Sequence, residues 1–271
     1  MEISVILDLM FNMQSKIKII ETGRADGIMS RTKRFYPEDY SEDQINKIFR
    51  ETRINAGKKY NFNGLHIIKP IQKELAKAKD KNNIFKDYII VTKEMLNKED
   101  YYDIDFFCDA LVLPSTIKDV VLGHPEADCP ILICEDRKKG YTSLTHCGAV
   151  MINRGTIKHC IDALTDGCNS NKGDIYCYIS NSIKKDYYIY DKYPPFATNN
   201  TIWKNAITKH NNEYNIDLSL AIREELQRLG IENIKENKED TATSPKYYSH
   251  VKETQGDYSK KGQNFVGIYY I

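Results

Sequence analysis

The chain has almost no net charge: 39 Lys and Arg stand against 38 Asp and Glu, a formal +1 over 271 residues. A field that weak does not draw in DNA, RNA or acidic lipid, so neither a nucleic-acid nor a membrane partner is expected. No apolar run approaches the ~18–20 residues of a membrane-spanning helix, and the richest, Pro130–Cys134, is only a strand's length. A secretion signal is missing too, because Glu2 and Asp8 break the first apolar stretch and no small-residue cleavage site follows. The seven cysteines (Cys108, Cys129, Cys134, Cys147, Cys160, Cys168 and Cys177) contain no Cys-x-x-Cys pair, which excludes zinc-ribbon and thioredoxin motifs. Scattered, odd in number and without a signal, they point to free thiols in a reducing, cytoplasmic setting. The six histidines include no His-x-His pair, which argues against a cluster of coppers. No repeat or low-complexity linker divides the chain, so residues 1–271 read as one domain, with 41% apolar residues to fill its core.

What is present is a pattern of short strands and a few helices. Lys16–Ile20, Leu65–Ile71, Tyr88–Thr92, Asp109–Leu113, Asp119–Leu122, Pro130–Cys134, Tyr141–His146 and Phe265–Ile271 read as strands, with Ile231–Ile234 a short further one. Ser41–Lys58, Gly155–Leu164 and Asp217–Leu229 read as helices; the last has Leu218, Ile222, Leu226 and Leu229 on one face and Gly230 as its stop. Lys235–Gln263 is mostly polar and reads as a long surface excursion. The six tyrosines from Tyr176 to Tyr193 read as packing or interface residues, Lys73–Lys81 as a solvated helix face, and His159 and His210 as surface residues.

One juxtaposition carries chemistry. Cys129 immediately precedes the apolar Pro130–Cys134 strand, and His146 ends the Tyr141–His146 strand. A turn at Lys138-Lys139-Gly140 makes the two strands a hairpin whose open ends hold the thiol and the imidazole side by side. That arrangement suits either a thiolate–imidazole nucleophile or two metal ligands.

The stretch Ala127-Asp128-Cys129-Pro130-Ile131-Leu132-Ile133-Cys134, followed by His146-Cys147-Gly148 and Gly155, resembles the YfiH/laccase-domain family. This family is also called peptidoglycan editing factor or multicopper polyphenol oxidase. Asp109-Ala110-Leu111-Val112, Asp217-Leu218 with Gly230-Ile231, and Asp240-Thr241-Ala242-Thr243 with Tyr247-Tyr248-Ser249-His250 are similar to further family segments, so the resemblance runs from about residue 109 to the end. It implies an α/β fold, a single αβα sandwich. It also implies one zinc ion held by His, Cys and His, with copper the less favoured metal, and phosphorolysis or deamination of adenosine-type purine nucleosides. The partners would be a nucleoside and, for phosphorolysis, phosphate. Position by position, Cys129 and His146 match two ligands; the third is His66, in Gly64-Leu65-His66-Ile67, with His124 as the competing candidate.

The chain also departs from the family. Ala149 and Val150 stand where the family has Trp and Arg, Val251 and Gln263 replace two further arginines, and Ala242 replaces a cysteine. Fewer cations weaken the case for phosphate binding. Arg154, ahead of Gly155, is the candidate to restore one of them at a catalytic position beside Cys129 and His146. Two alternatives therefore stay open: a cysteine hydrolase or amidase using Cys129 and His146, and a catalytically inactive divergent member.

Overall fold

Strands dominate because apolar residues come in short runs or in alternation, each closed by a turn-forming residue. The computed structural model describes residues 15–62, 66–76, 82–96 and 103–271. The expectations about the first residues, Gly64-Leu65 and the end of Lys73–Lys81 lie outside the described residues. In chain order the strands are β1 (Ile17–Glu21), β2 (Ile67–Pro70), β3 (Lys86–Ile90), β4 (Asp103–Phe106), β5 (Cys108–Pro114), β6 (Val121–Glu126) and β7 (Ile131–Asp136). They continue with β8 (Tyr141–His146), β9 (Ile175–Ile179), β10 (Ile189–Tyr190), β11 (Ile207–His210), β12 (Glu213–Ile216), β13 (Asn233–Glu236) and β14 (Asn264–Tyr270). The helices are α1 (Glu42–Tyr60), α2 (Ala149–Asn153), α3 (Thr156–Thr165), α4 (Asn200–Trp203), α5 (Leu218–Arg228) and α6 (His250–Thr254).

Two large sheets have the orders β1-β14-β6-β2-β4 and β13-β9-β7-β8-β5-β3. They share one core, in which Ile68, Leu122, Val266 and Ile268 of the first meet Leu111, Ile131, Ile133 and Leu144 of the second. α1 covers the outer face of the first sheet, its Ala56 packing with Ile67, Val121 and Phe265. α2, α3 and α5 cover the outer face of the second through Ile152, Ile157, Ile161, Ala221 and Ile222. The expected α/β sandwich is present, with its β layer doubled. The helix boundaries have local causes: Ser41 and Gln44 form a reciprocal capping box at the start of α1, and Asp217 accepts from Leu220 N–H at 2.8 Å at the start of α5.

The β7–β8 hairpin forms as expected, with Ile131 opposite His146 and Gly140 taking φ +75° at the turn. A third, small sheet, β10-β12-β11, was not legible in the sequence. Beside it Tyr188, Tyr190, Phe196 and Trp203 form a chain of edge-on ring contacts with centroids 5.3–5.8 Å apart, so these tyrosines are packing residues. The segment Lys235–Gln263 is not the surface excursion its polarity suggests. Thr241, Tyr247 and Ser249 are fully buried, and the buried Lys260 ammonium donates to the carbonyls of Thr241 (3.2 Å), Tyr247 (3.1 Å) and Ser244. Polar residues go inside here because each meets a partner there.

Candidate functional site

Cys129 lies half-buried just before β7, and His146 is buried at the end of β8. The chain then passes directly over both. A Cβ placed on Gly148 would sit 3.2 Å from His146 Cε1, 3.5 Å from Cys129 Sγ and 3.1 Å from Met151 Sδ, so the glycine lets the backbone pass close to both. The hairpin thus brings Cys129 and His146 together.

The residue that orients His146 is Gln72, which sequence reasoning missed because a lone glutamine carries no motif. Gln72 is fully buried just beyond the end of β2. Its Nε2 donates to the His146 carbonyl at 2.9 Å and approaches Thr156 Oγ1 at 3.0 Å and Thr145 Oγ1 at 3.2 Å. A carbonyl accepts only, so the amide nitrogen must lie on that side, and Oε1 must be the atom 3.2 Å from His146 Nδ1. The proton of His146 therefore sits on Nδ1, and Nε2 keeps a free lone pair. Burial alone lowers the His146 pKa to about 4, so the ring is neutral near pH 7.

His124 stacks on His146 with centroids 4.9 Å apart and planes 16° from parallel. Its Nδ1 is 2.6 Å from the Pro125 carbonyl, which fixes the same tautomer and leaves Nε2 unprotonated. Burial, then the neighbouring His146 and Lys69, hold its pKa well below the usual histidine value. His66 is placed differently from the expectation. β2 and β6 run parallel with Ile67 opposite Val121, and Val121 N–H donates to the His66 carbonyl at 2.8 Å. His124 lies three residues beyond Val121 on β6, so about four residues of strand, or ~13 Å, separate it from His66. The chain leaving β2 delivers Gln72, not His66, to His146.

Arg154 closes α2 and forms an ion pair with Glu74, so its charge is already matched. Val150 is exposed, and Val251 contributes only its backbone N–H, which donates to Asp128 at 2.7 Å. Asp128 is the hub between the Cys129 segment and the C-terminal motifs. Held at φ +80° and buried, it accepts from Val251 N–H through Oδ2 and from the Thr241 hydroxyl at 2.6 Å through Oδ1. Burial, then Asp128 and Glu126, push the Cys129 thiol up to about 12. Burial, then a hydrogen bond with Tyr190, then Cys129, raise the Tyr188 phenol. A cleft of about 610 Å³ lined by Ile19, Tyr60, Glu135, Tyr176 and Tyr178 contains none of these residues.

Both members of the Cys129–His146 pair are thus neutral when nothing is bound. A thiolate–imidazolium pair needs both charged, whereas a metal site needs a thiol that can shed its proton and an unprotonated imidazole. The donor chemistry at Cys129, His146 and His124 fits zinc. These three do not gather as closely as Asp87, Asp109 and His159, the one trio among the described residues whose ligand atoms lie within 4.8 Å of one another.

Residues 81–268 match the profile of the family described as multi-copper polyphenol oxidoreductase laccase. The chain belongs to that family. Solved structures share this fold. The Neisseria meningitidis protein NMB0706 superposes with a TM-score of 0.65 at 14% identity, covering 94% of this chain and 95% of its own. Bacillus licheniformis hypothetical protein YfiH gives 0.62 at 17% identity, covering 83% and 82%. YlmD from Geobacillus stearothermophilus gives 0.58 at 16%, covering 82% and 80%. No curated protein matches the chain significantly. The laccase-like family includes purine nucleoside phosphorylase-like proteins and typically binds metal. No described helix is long and apolar enough to cross a membrane.

Proposed function

We propose that this laccase-family chain is a zinc-dependent enzyme of purine nucleosides that works by hydrolytic deamination in preference to phosphorolysis. The observation that carries it is the pairing of a neutral thiol, Cys129, with an imidazole whose Nε2 lone pair is set free by Gln72. Cys129, His146 and His124 would hold the ion, and a zinc ion there supplies Lewis acidity that brings the pKa of water toward neutrality. The three ligand atoms must draw closer together for all of them to bind. Gln72 holds the Nδ1 proton of His146, so the ring stays in the ligating tautomer throughout.

Hydrolysis is favoured because phosphate finds few cations. Val150, Val251 and Gln263 supply none, and Arg154 is engaged by Glu74. Nucleoside and water are the proposed reactants, and the seven free thiols fit a cytoplasmic location. The test is metal analysis of the purified protein together with an adenosine and inosine panel, with and without phosphate. About one zinc at this site, lost in Cys129→Ala, and phosphate-independent release of ammonia from adenosine are expected. Phosphate-dependent release of free adenine as the main reaction would overturn the hydrolytic reading.

The alternative in which Cys129 is a nucleophile gains from the looser gathering of the three ligands, but the raised thiol counts against it. Iodoacetamide separates the two: zinc-bound Cys129 reacts only after a chelator is added, whereas a nucleophilic Cys129 reacts at once.

A further inference from the structure

Asp87, Asp109 and His159 stand on three rigid elements that meet at the surface, away from Cys129. β3 and β5 are parallel neighbours with Lys86 opposite Cys108, which sets Asp87 beside Asp109. α3 crosses both strands and lowers His159 onto the pair. Asp109 Oδ2 lies 2.7 Å from His159 Nδ1, and Asp87 Oδ1 lies 3.9 Å from His159 Nε2. The ring is therefore pinned at Nδ1, and Nε2 faces a carboxylate too far away for a hydrogen bond but at a spacing an ion can bridge. Even with a protonated imidazole, two carboxylates around one ring leave the trio itself with a net negative charge. Asp162, the next acidic group toward the ring, is already paired with Lys158.

We propose that this trio binds a divalent first-row transition ion, such as zinc, cobalt or nickel, through His159 Nε2 and the Asp87 carboxylate, with Asp109 behind the ring. An imidazole ligand selects against magnesium and calcium, which take oxygen sets. A carboxylate on the far ring nitrogen is the usual support for a ligating histidine, because it fixes the tautomer and strengthens the donor. Asp87 is 75% exposed and His159 22%, so an ion reaches them from solvent, and water completes its coordination. The site stands independently of the zinc proposed at Cys129.

Cobalt(II) is the probe. Added to metal-free full-length protein, it gives a near-ultraviolet thiolate charge-transfer band only where it meets Cys129. In Cys129→Ser protein the Cys129 contribution to that band is absent, and the binding in equilibrium dialysis that a further His159→Gln removes is that of the surface site. Saturable binding is expected there, with selective paramagnetic loss of the His159 ring signals in the NMR spectrum. Adding His159→Gln should abolish this binding, and Asp109→Asn should weaken it by roughly tenfold. Absence of saturable cobalt binding in Cys129→Ser protein, or binding that His159→Gln leaves unchanged, would overturn the proposal. Neither result bears on the Cys129 site, which the thiolate band in unaltered protein reports separately.

Discussion

His146 and His159 belong to neighbouring parts of the chain, the end of β8 and the middle of α3, yet their surroundings push them in opposite directions. His146 is buried, its Nδ1 proton goes to a neutral amide, and nothing nearby favours the cation, so its pKa falls to about 4. His159 lies near the surface against Asp109 and Asp87, and the hydrogen bond it donates to Asp109, larger than the opposing desolvation, raises its pKa. Both rings have Nδ1 fixed and Nε2 available. The difference shows that a ligating tautomer can be set without a charge, by Gln72, or with one, by Asp109, and only the charged version also attracts protons. The Asp109 carbonyl, which accepts from Thr145 at 2.6 Å, links the two centres through one strand.

The comparison breaks most visibly at Gln72. Gln72→Ala empties a fully buried site and strands the His146 carbonyl and Nδ1 proton, so a loss of about 3–4 kcal/mol is expected in urea unfolding. The next effect is pH dependence in metal-free protein. Below the unfolded histidine pKa of ~6.5 the unfolded chain binds a proton that folded His146 refuses until about 4. Stability should therefore fall by roughly 3 kcal/mol as pH drops across that window, with His124 acting in the same direction. His159 works oppositely: its contribution is full below the unfolded pKa and lost as pH rises through its own raised value. Urea midpoints measured against pH should show a shallower acid limb in His146→Gln and a steeper one in His159→Gln. Asp128→Ala, which removes the acceptor for Thr241 and Val251 and leaves an alanine at positive φ, should cost about 2–3 kcal/mol. It should also raise proteolysis between residues 241 and 251. The smallest effect is expected at the surface: His159→Gln at neutral pH should change stability by no more than about 0.5 kcal/mol.

The hairpin and its two chemical residues were legible because strand alternation and a Lys138-Lys139-Gly140 turn are local signals that fix which ends meet. The helices at Glu42–Tyr60 and Leu218–Arg228 were legible for the same reason, since capping and periodicity act within a few residues. His66 was chosen by residue type, and the register of β2 against β6, a long-range property, decides that Gln72 arrives instead. Lys235–Gln263 was misplaced because hydropathy counts polar atoms without seeing partners, and Lys260 and Asp128 find theirs in distant parts of the chain. His159 read as a surface residue, and it is near the surface; its carboxylate neighbours come from strands β3 and β5 and leave no mark in the sequence around it.

The order of strands in the first sheet bears on how the protein is made. β1 is synthesised before the rest of its sheet, but among the described residues its strand partner there is β14, Ile17 pairing with Tyr270. β14 also separates β1 from β6, so until it has emerged from the ribosome the first strand has no edge to join. β6, which carries His124, likewise keeps one edge open. The nascent chain can close its β7–β8 hairpin from adjacent residues, whereas completing the sandwich needs β14 and the closure of a long loop, a slow step for a topology so rich in distant contacts. Until β14 is made, the edges of β1 and β6 that it will cover stay unpaired and must be shielded from other strands.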